Sequence, residues 1–326
     1  MYRVGVDIGG TFTDAVILDE STGEILTSKV ETTPEDPSIG FLNSIAKILG
    51  KDFAKIDMLI HSATIATNTV VTRSGATVGL VTTKGFKDIL EIGRGNRKHS
   101  YDLRWIKSEP LVPRRLRKEV TERINYRGEV VDPLNEDEVK RVAEDLKSEN
   151  VESVAVCFLF SYVNPKHELR AKEILEEIVG VDVDTSYEVA PEYREFERMQ
   201  TIVVNSYVKP KVKRYLRNLS LKLKEMNYGK EFLIMHSGGG IITAETAKEK
   251  PVTTISSGAA AGVIGGAYLG SLIGIKNLIS LDMGGTTSLV SCIYKGAPKF
   301  AMEGDIEWGM PVKIPIVDVV TIGNGG

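Results

Sequence analysis

The chain carries one short pattern twice. Val4-Gly5-Val6-Asp7-Ile8-Gly9-Gly10-Thr11-Phe12-Thr13-Asp14 stands near its start, and Ile279-Ser280-Leu281-Asp282-Met283-Gly284-Gly285-Thr286-Thr287-Ser288 near its end. Each copy is an apolar strand ending in an Asp, then two glycines, then hydroxyl residues that open a second β-rich run. Paired glycines let the backbone turn sharply and bring bare N–H groups close to an anion. The hydroxyls add donors, and a strand-end Asp suits a hydrated Mg2+ better than it suits phosphate. A single hairpin of this kind is an ordinary tight turn. Two copies in the same context imply two lobes that grip one polyphosphate from opposite sides.

On this reading Asp7 and Asp282 face the metal. Gly9, Gly10, Thr11 and Thr13 cradle phosphate in the first copy, and Gly284, Gly285, Thr286 and Thr287 in the second. Asp14 adds a second carboxylate beside the chemistry. The closing run Gly323-Asn324-Gly325-Gly326 places Gly323 and Gly325 among the nucleotide-side candidates.

Residues 2–31 read as three strands, and a helix over Ser38–Leu49 follows Pro37. Met58–His61 reads as a strand, Ile65–Thr72 as a short helix and Thr77–Val81 as another strand. This alternation predicts an α/β lobe with a mixed sheet. Residues 84–134 are polar and irregular and read as a long excursion. Two helix–strand pairs follow, and Glu192–Met226, interrupted by Pro210, reads as two linker helices. The expected division is a first lobe at 1–190, a helical linker at 191–230 and a second lobe at 231–326. Only 44 residues follow Asp282, so that second lobe is expected to be truncated.

Composition excludes several classes. A net charge of -3 and a pI near 6.0 argue against a general nucleic-acid binder. The stretch from Arg94 to Lys118 holds nine Lys or Arg against Asp102 and Glu109, but it contains Pro110 and Pro113 and no nucleic-acid module, so it reads as a solvated excursion. Cys157 and Cys292 both lie in apolar strand-like runs, as core residues of a reduced, cytoplasmic protein do. They leave no ligand set for zinc or an iron–sulfur cluster. Val252 to Ile275 carries no charge, and Gly262, Gly266, Gly270 and Gly274 recur every fourth residue. That stripe could mark a membrane helix, but its Gly, Ala and Ser content and the strand that follows fit a helix lying close against a sheet.

These motifs resemble the hydantoinase A/5-oxoprolinase family, which includes ATP-dependent N-methylhydantoinases and beta subunits of acetone-type carboxylases. The carrying residues are Asp7 to Asp14, His61 to Asn68, Val81 to Arg94 and Tyr101-Asp102-Leu103. They continue through Leu111 to Arg114, Glu119 to Arg123, Ser257 to Gly262 and Asp282 to Thr287, in order along essentially the whole chain. The resemblance implies an α/β actin-like ATPase (ribonuclease H-like) architecture of duplicated lobes, with ATP and Mg2+ as cofactors. It implies substrate-side roles for His61 and Arg94, and relates the segment from His61 to Thr64 to the family's His-Gly-Thr-Thr element. The chain departs from the family at Leu289, where relatives usually place an Asp, and at Ala259, where they place a Pro.

The activity so implied is ATP-dependent opening of a cyclic amide such as a hydantoin or 5-oxoproline, through phosphorylation of a substrate oxygen. Ketone carboxylation is the runner-up. A hydantoinase B-like subunit, or a C-terminal remainder of the enzyme, is the expected partner, with no role for nucleic acid or membrane. Two other classes are an actin-like or sugar-kinase-like binding module, and a non-catalytic subunit that binds its partner without closing on ATP. The apolar surface of an incomplete lobe also predicts a homodimer.

Overall fold

The computed structural model describes residues 1–283 and 288–322, and its contacts divide them into two compact units. Unit 1 comprises residues 1–68, 211–302 and 315 onward, and unit 2 comprises residues 69–210 and 303–314.

Unit 1 is built on a six-stranded mixed sheet. β1 (Tyr2–Ile8), β2 (Phe12–Asp19), β3 (Ile25–Glu31) and β4 (Ile56–Ala63) are joined by two later strands, Leu233–Met235 and Ile241–Thr243. β1 lies between β2, antiparallel to it, and β4, parallel to it. Val4, Val6 and Ile8 alternate with Arg3, Gly5 and Asp7, so one face of β1 is core and the other is free for polar residues. The helix Pro37–Leu49 covers the core face with Phe41 and Ile45, both fully buried. Burial of side chains of that size stabilises the unit by about 1.5–3 kcal/mol each. Its start is local: Asp36 accepts a hydrogen bond from the Ser38 amide, and Pro37 occupies the first turn, where no N–H is needed.

The expected division at 190 and 231 differs from this arrangement. Leu233–Met235, expected to open a second lobe, is hydrogen-bonded in parallel to Leu233↔Ile60 and Ile234↔His61 of β4. The triple glycine after His236 is the turn of a hairpin, with the Gly239 amide donating to the His236 carbonyl at 2.8 Å.

A second sheet in unit 1 pairs Leu278–Met283 with Ser288–Tyr294, which also pairs with Ala297–Pro298 and Val320–Ile322. The helix Ser257–Leu272 packs on one face of it. A Cβ on Gly270 would stand 2.5 Å from a Leu278 methyl, and one on Gly266 3.6 Å from Ile293 and Ser280. Two members of the glycine stripe therefore bring helix and sheet together. Among the described residues no helix is long and apolar enough to cross a membrane. The other sheet face carries Ile279, Leu281, Met283 and Tyr294, all exposed.

Unit 2 centres on a parallel sheet ordered Asp182–Thr185, Ser153–Cys157, Val78–Thr83, Arg117–Val120. Its two middle strands are buried throughout, as in a sheet covered on both faces. The expected excursion is thus partly core, since Arg117–Val120 forms an edge of this sheet. The linker also differs: Glu195–Glu225 is one helix of 31 residues with Pro210 inside. Proline deprives the Ser206 carbonyl of its donor, and the Ser153 hydroxyl supplies one at 2.8 Å. The neighbouring Tyr207 carbonyl accepts from the Ala76 amide at 2.9 Å. These two outside donors let the helix continue through the proline.

Candidate functional site

Asp7 stands near the end of β1 on its polar face. Strand register puts Ser62 of β4 beside it and Asp14 of β2 opposite. The Ser62 hydroxyl donates a hydrogen bond to the Asp7 carboxylate. Asp14 in turn makes an ion pair with Lys29 across β2 and β3 at 3.2 Å.

The turn after Asp7 is pinned from below. The Gly9 amide donates to the Phe12 carbonyl at 2.9 Å, and a Cβ on Gly9 would stand 3.0 Å from that oxygen. Thr32 holds the turn through its hydroxyl, which donates to the Gly9 carbonyl at 3.0 Å, and its amide, which donates to the Thr11 carbonyl at 2.9 Å. Gly10 and Thr11 are left exposed, and among the described residues neither backbone amide has a hydrogen-bond partner. Two free N–H groups on a fixed turn form a small anion-binding surface.

The helix Ser257–Leu272 begins against the same carboxylate. A Cβ on Gly258 would approach the Asp7 Oδ1 to 3.1 Å. The preceding Ser256 takes a left-handed conformation at φ 58°, and its amide donates to the Thr67 hydroxyl at 3.0 Å. The Ser257 hydroxyl is buried, with no partner among the described residues. Asp7 is open to water yet flanked by protein, and its pKa is raised. Partial desolvation is the main cause; the Ser62 hydrogen bond opposes it, and the carboxylates of Asp14 and Asp282 add to it. A cation at this carboxylate would favour the ionised form of Asp7. Among the described residues no cluster of three ligands close enough to hold a metal directly is present. Magnesium needs none, because it keeps several waters and takes one or two carboxylates plus substrate phosphates.

Asp282 occupies the strand-end position expected of it, directly opposite Leu289. Gly284, Gly285, Thr286 and Thr287, with Gly323 and Gly325, lie outside the described residues.

Three expected residues are placed differently. Thr13 is fully buried, and its hydroxyl is engaged with that of Thr32 at 3.0 Å, so it braces the turn instead of lining its surface. His61 is also fully buried. Its Nδ1 lies 3.3 Å from the Val6 carbonyl, which can only accept, so Nδ1 carries the proton. Its Nε2 then accepts from the Tyr215 hydroxyl at 2.8 Å. Burial pushes the imidazole pKa down to about 4, so the ring is neutral in the interior of unit 1. Arg94 belongs to unit 2, where its guanidinium bridges Glu197 and Glu303.

Sequence reasoning missed Thr32, whose role comes from strand pairing across 23 residues. It also gave Gly258 no role beyond its motif, although a Gly just inside the start of a helix is a signal of close approach.

The profile described as the hydantoinase/oxoprolinase N-terminal region matches residues 3–179, and that described as hydantoinase/oxoprolinase matches residues 198–326. An uncharacterized protein of Methanocaldococcus jannaschii is 43% identical over all of this chain and 50% of its own length. The crystal structure of the ATP-dependent caprolactamase from Pseudomonas jessenii superposes with a TM-score of 0.89 at 32% identity, over 99% of this chain and 48% of that one. A nucleotide-free structure of acetone carboxylase, from work on ATP-dependent acetone carboxylation, gives a TM-score of 0.90 at 30% identity, over 100% of this chain and 48% of that one. The chain spans about half the length of the relatives it matches.

Proposed function

The chain belongs to the hydantoinase/oxoprolinase family, with an α/β fold of the actin-like ATPase type, and we propose that it supplies the MgATP-holding part of an enzyme that activates a cyclic amide for hydrolysis. The observation that carries this reading is the setting of Asp7: a water-accessible carboxylate, crowded by Asp14 and Asp282, beside two unpartnered amides and the start of a helix.

MgATP supplies the transferable phosphoryl group and the charge that neutralises it. Asp7, oriented by Ser62, holds the hydrated metal, with Asp282 as the second carboxylate. The Gly10 and Thr11 amides receive phosphate oxygens, and the N-terminal dipole of the helix Ser257–Leu272 favours the same negative charge. Phosphorylation of an amide oxygen turns a poor electrophile into a good one. It asks the protein for positioning and charge neutralisation more than for a nucleophile. The relatives named above include a caprolactamase, whose alpha subunit is matched at 33% identity, which supports a cyclic amide and a partner subunit. A hydantoinase B-like subunit, or the half of the relatives' length beyond this chain, would complete the hydrolysis.

A second reading follows from the acetone carboxylase likeness: the same phosphoryl transfer applied to a ketone enol before carboxylation. Leu289 favours a third, in which the chain binds nucleotide or partner without turning it over, because an apolar side chain opposite Asp282 cannot hold a metal or orient water.

Calorimetric titration of MgATP and MgADP into the chain tests the common premise. Saturable binding that Asp7→Asn weakens tenfold or more supports the site. Absence of binding in the unaltered chain, or equal binding in both proteins, refutes it.

A further inference from the structure

The second hairpin of unit 1 repeats the first in register but not in surroundings. In the first, β1 is a middle strand: β2 pairs with it antiparallel on one side, and β4 runs parallel to it on the other. Its core face, Val4, Val6 and Ile8, is at most 3% exposed beneath the helix Pro37–Leu49. In the second, Leu278–Met283 has the same antiparallel partner in Ser288–Tyr294 and, among the described residues, no strand on its other side. Aligning Asp282 with Asp7 puts Ile279, Leu281 and Met283 in the places of Val4, Val6 and Ile8. Their exposures are 68%, 61% and 59%.

The opposing strand agrees. Ile17, across from Val4, is fully buried, whereas Cys292, across from Ile279, is exposed. The apolar run around Cys292 predicts a core residue, so this face has the composition of an interior and the setting of a surface. The helix Ser257–Leu272 does not cover it, because that helix packs on the reverse face, against Leu278, Ser280 and Ile293. The free edge of Leu278–Met283 also presents backbone N–H and C=O groups that a further strand would pair. In the first hairpin one consecutive segment meets both needs: the helix Pro37–Leu49 covers the face and leads on into β4, which pairs the edge.

We propose that the second hairpin docks a helix–strand segment of the same kind, supplied by the half of the relatives' length that this chain does not match. An amphipathic helix lies over Ile279, Leu281, Met283 and Cys292, and an apolar strand adds in parallel to the free edge of Leu278–Met283. Main-chain pairing along the edge supplies affinity, and the apolar side chains fix the register. Coverage of this face follows from the internal repeat of unit 1 and is independent of what the turn after Asp7 binds.

Cys292 reports the docking directly, since the other cysteine, Cys157, is buried. The full chain is co-expressed with the unmatched half of the Methanocaldococcus jannaschii relative and compared with the chain alone, the latter diluted until it is monomeric. The expected result is a one-to-one complex that survives dilution to about 1 μM. In it, alkylation of Cys292 by iodoacetamide should slow at least tenfold, and the amides of Leu278–Met283 should gain protection from hydrogen exchange. Ile279→Lys with Leu281→Lys should abolish the complex; both side chains are exposed, so the chain itself still folds, which circular dichroism checks. No complex, a complex that leaves Cys292 as reactive as before, or one that tolerates the lysine pair overturns the proposal. So does a homodimer that protects Cys292 and persists beside the co-expressed half, which would give the face to a second copy. Failure of the nucleotide reading would appear instead in the MgATP titration.

Discussion

Asp282 faces Leu289 across the second hairpin at the same register at which Asp7 faces Asp14 across the first. The two copies of the motif thus agree in backbone pairing and differ in the side chain that stands opposite the strand-end Asp. In the first, two carboxylates stand opposite each other; in the second, a carboxylate stands opposite a half-buried apolar group.

Restoring the missing carboxylate should therefore strengthen the metal side of the site. Leu289→Asp is expected to tighten magnesium-dependent nucleotide binding several-fold, at a stability cost of about 1 kcal/mol from lost apolar burial. Calorimetry with and without magnesium checks it. An identical affinity in both proteins would mean that the second hairpin plays no part in holding the metal.

His61 predicts an acid-sensitive unit 1. Its folded pKa of about 4 lies below the ordinary histidine value of 6.5, so between these values the unfolded chain binds a proton that the folded one refuses. Stability contributed by the neutral ring is full above pH 6.5 and falls as pH drops toward 4, by about 3 kcal/mol in the limit. His61→Gln removes the titrating group and should flatten that part of the stability–pH curve measured by denaturant unfolding. A slope that survives the substitution would have to come from other groups.

The proline in the long helix gives a coupled pair. Ser153→Ala leaves the buried Ser206 carbonyl without a donor and should cost about 1–3 kcal/mol. Pro210→Ala restores a backbone N–H to that carbonyl, so the cost of Ser153→Ala should shrink in the Pro210→Ala background. Independent, additive effects would show that the hydroxyl does not stand in for the missing amide.

The open face of the second sheet in unit 1 predicts self-association. Ile279, Leu281, Met283 and Tyr294 are each at least 59% exposed on paired strands, and nothing among the described residues covers them. Contiguous apolar surface of this kind seeks a partner. Sedimentation should show association that rises with concentration and is relieved by Ile279→Lys with Leu281→Lys. A clean monomer at high concentration would count against it.

Much of this architecture was legible in local pattern. The hairpin of β1 and β2, the capped helix after Asp36 and the glycine stripe that seats a helix on a sheet all follow from short-range signals in turn residues, caps and spacing. The two hairpins pointed to the same kind of site because each is a property of about ten neighbouring residues. Long-range pairing was not legible. Leu233–Met235 beside β4 and Arg117–Val120 beside Val78–Thr83 are chosen by which edges remain to be hydrogen-bonded and which faces remain to be buried, and no local pattern records that choice.

The same distinction governs the sites. Sequence by itself determined that Asp7 ends a strand before two glycines, and so that a carboxylate and free amides would share one turn. Only the tertiary structure decided that His61, one strand away, points into the core to meet Tyr215, because side chains alternate along a strand and the helix bearing Tyr215 packs on that face. It alone brought Trp105 and Trp308 to one cavity across 202 intervening positions, since aromatic surface separated in sequence meets wherever its burial is most favourable.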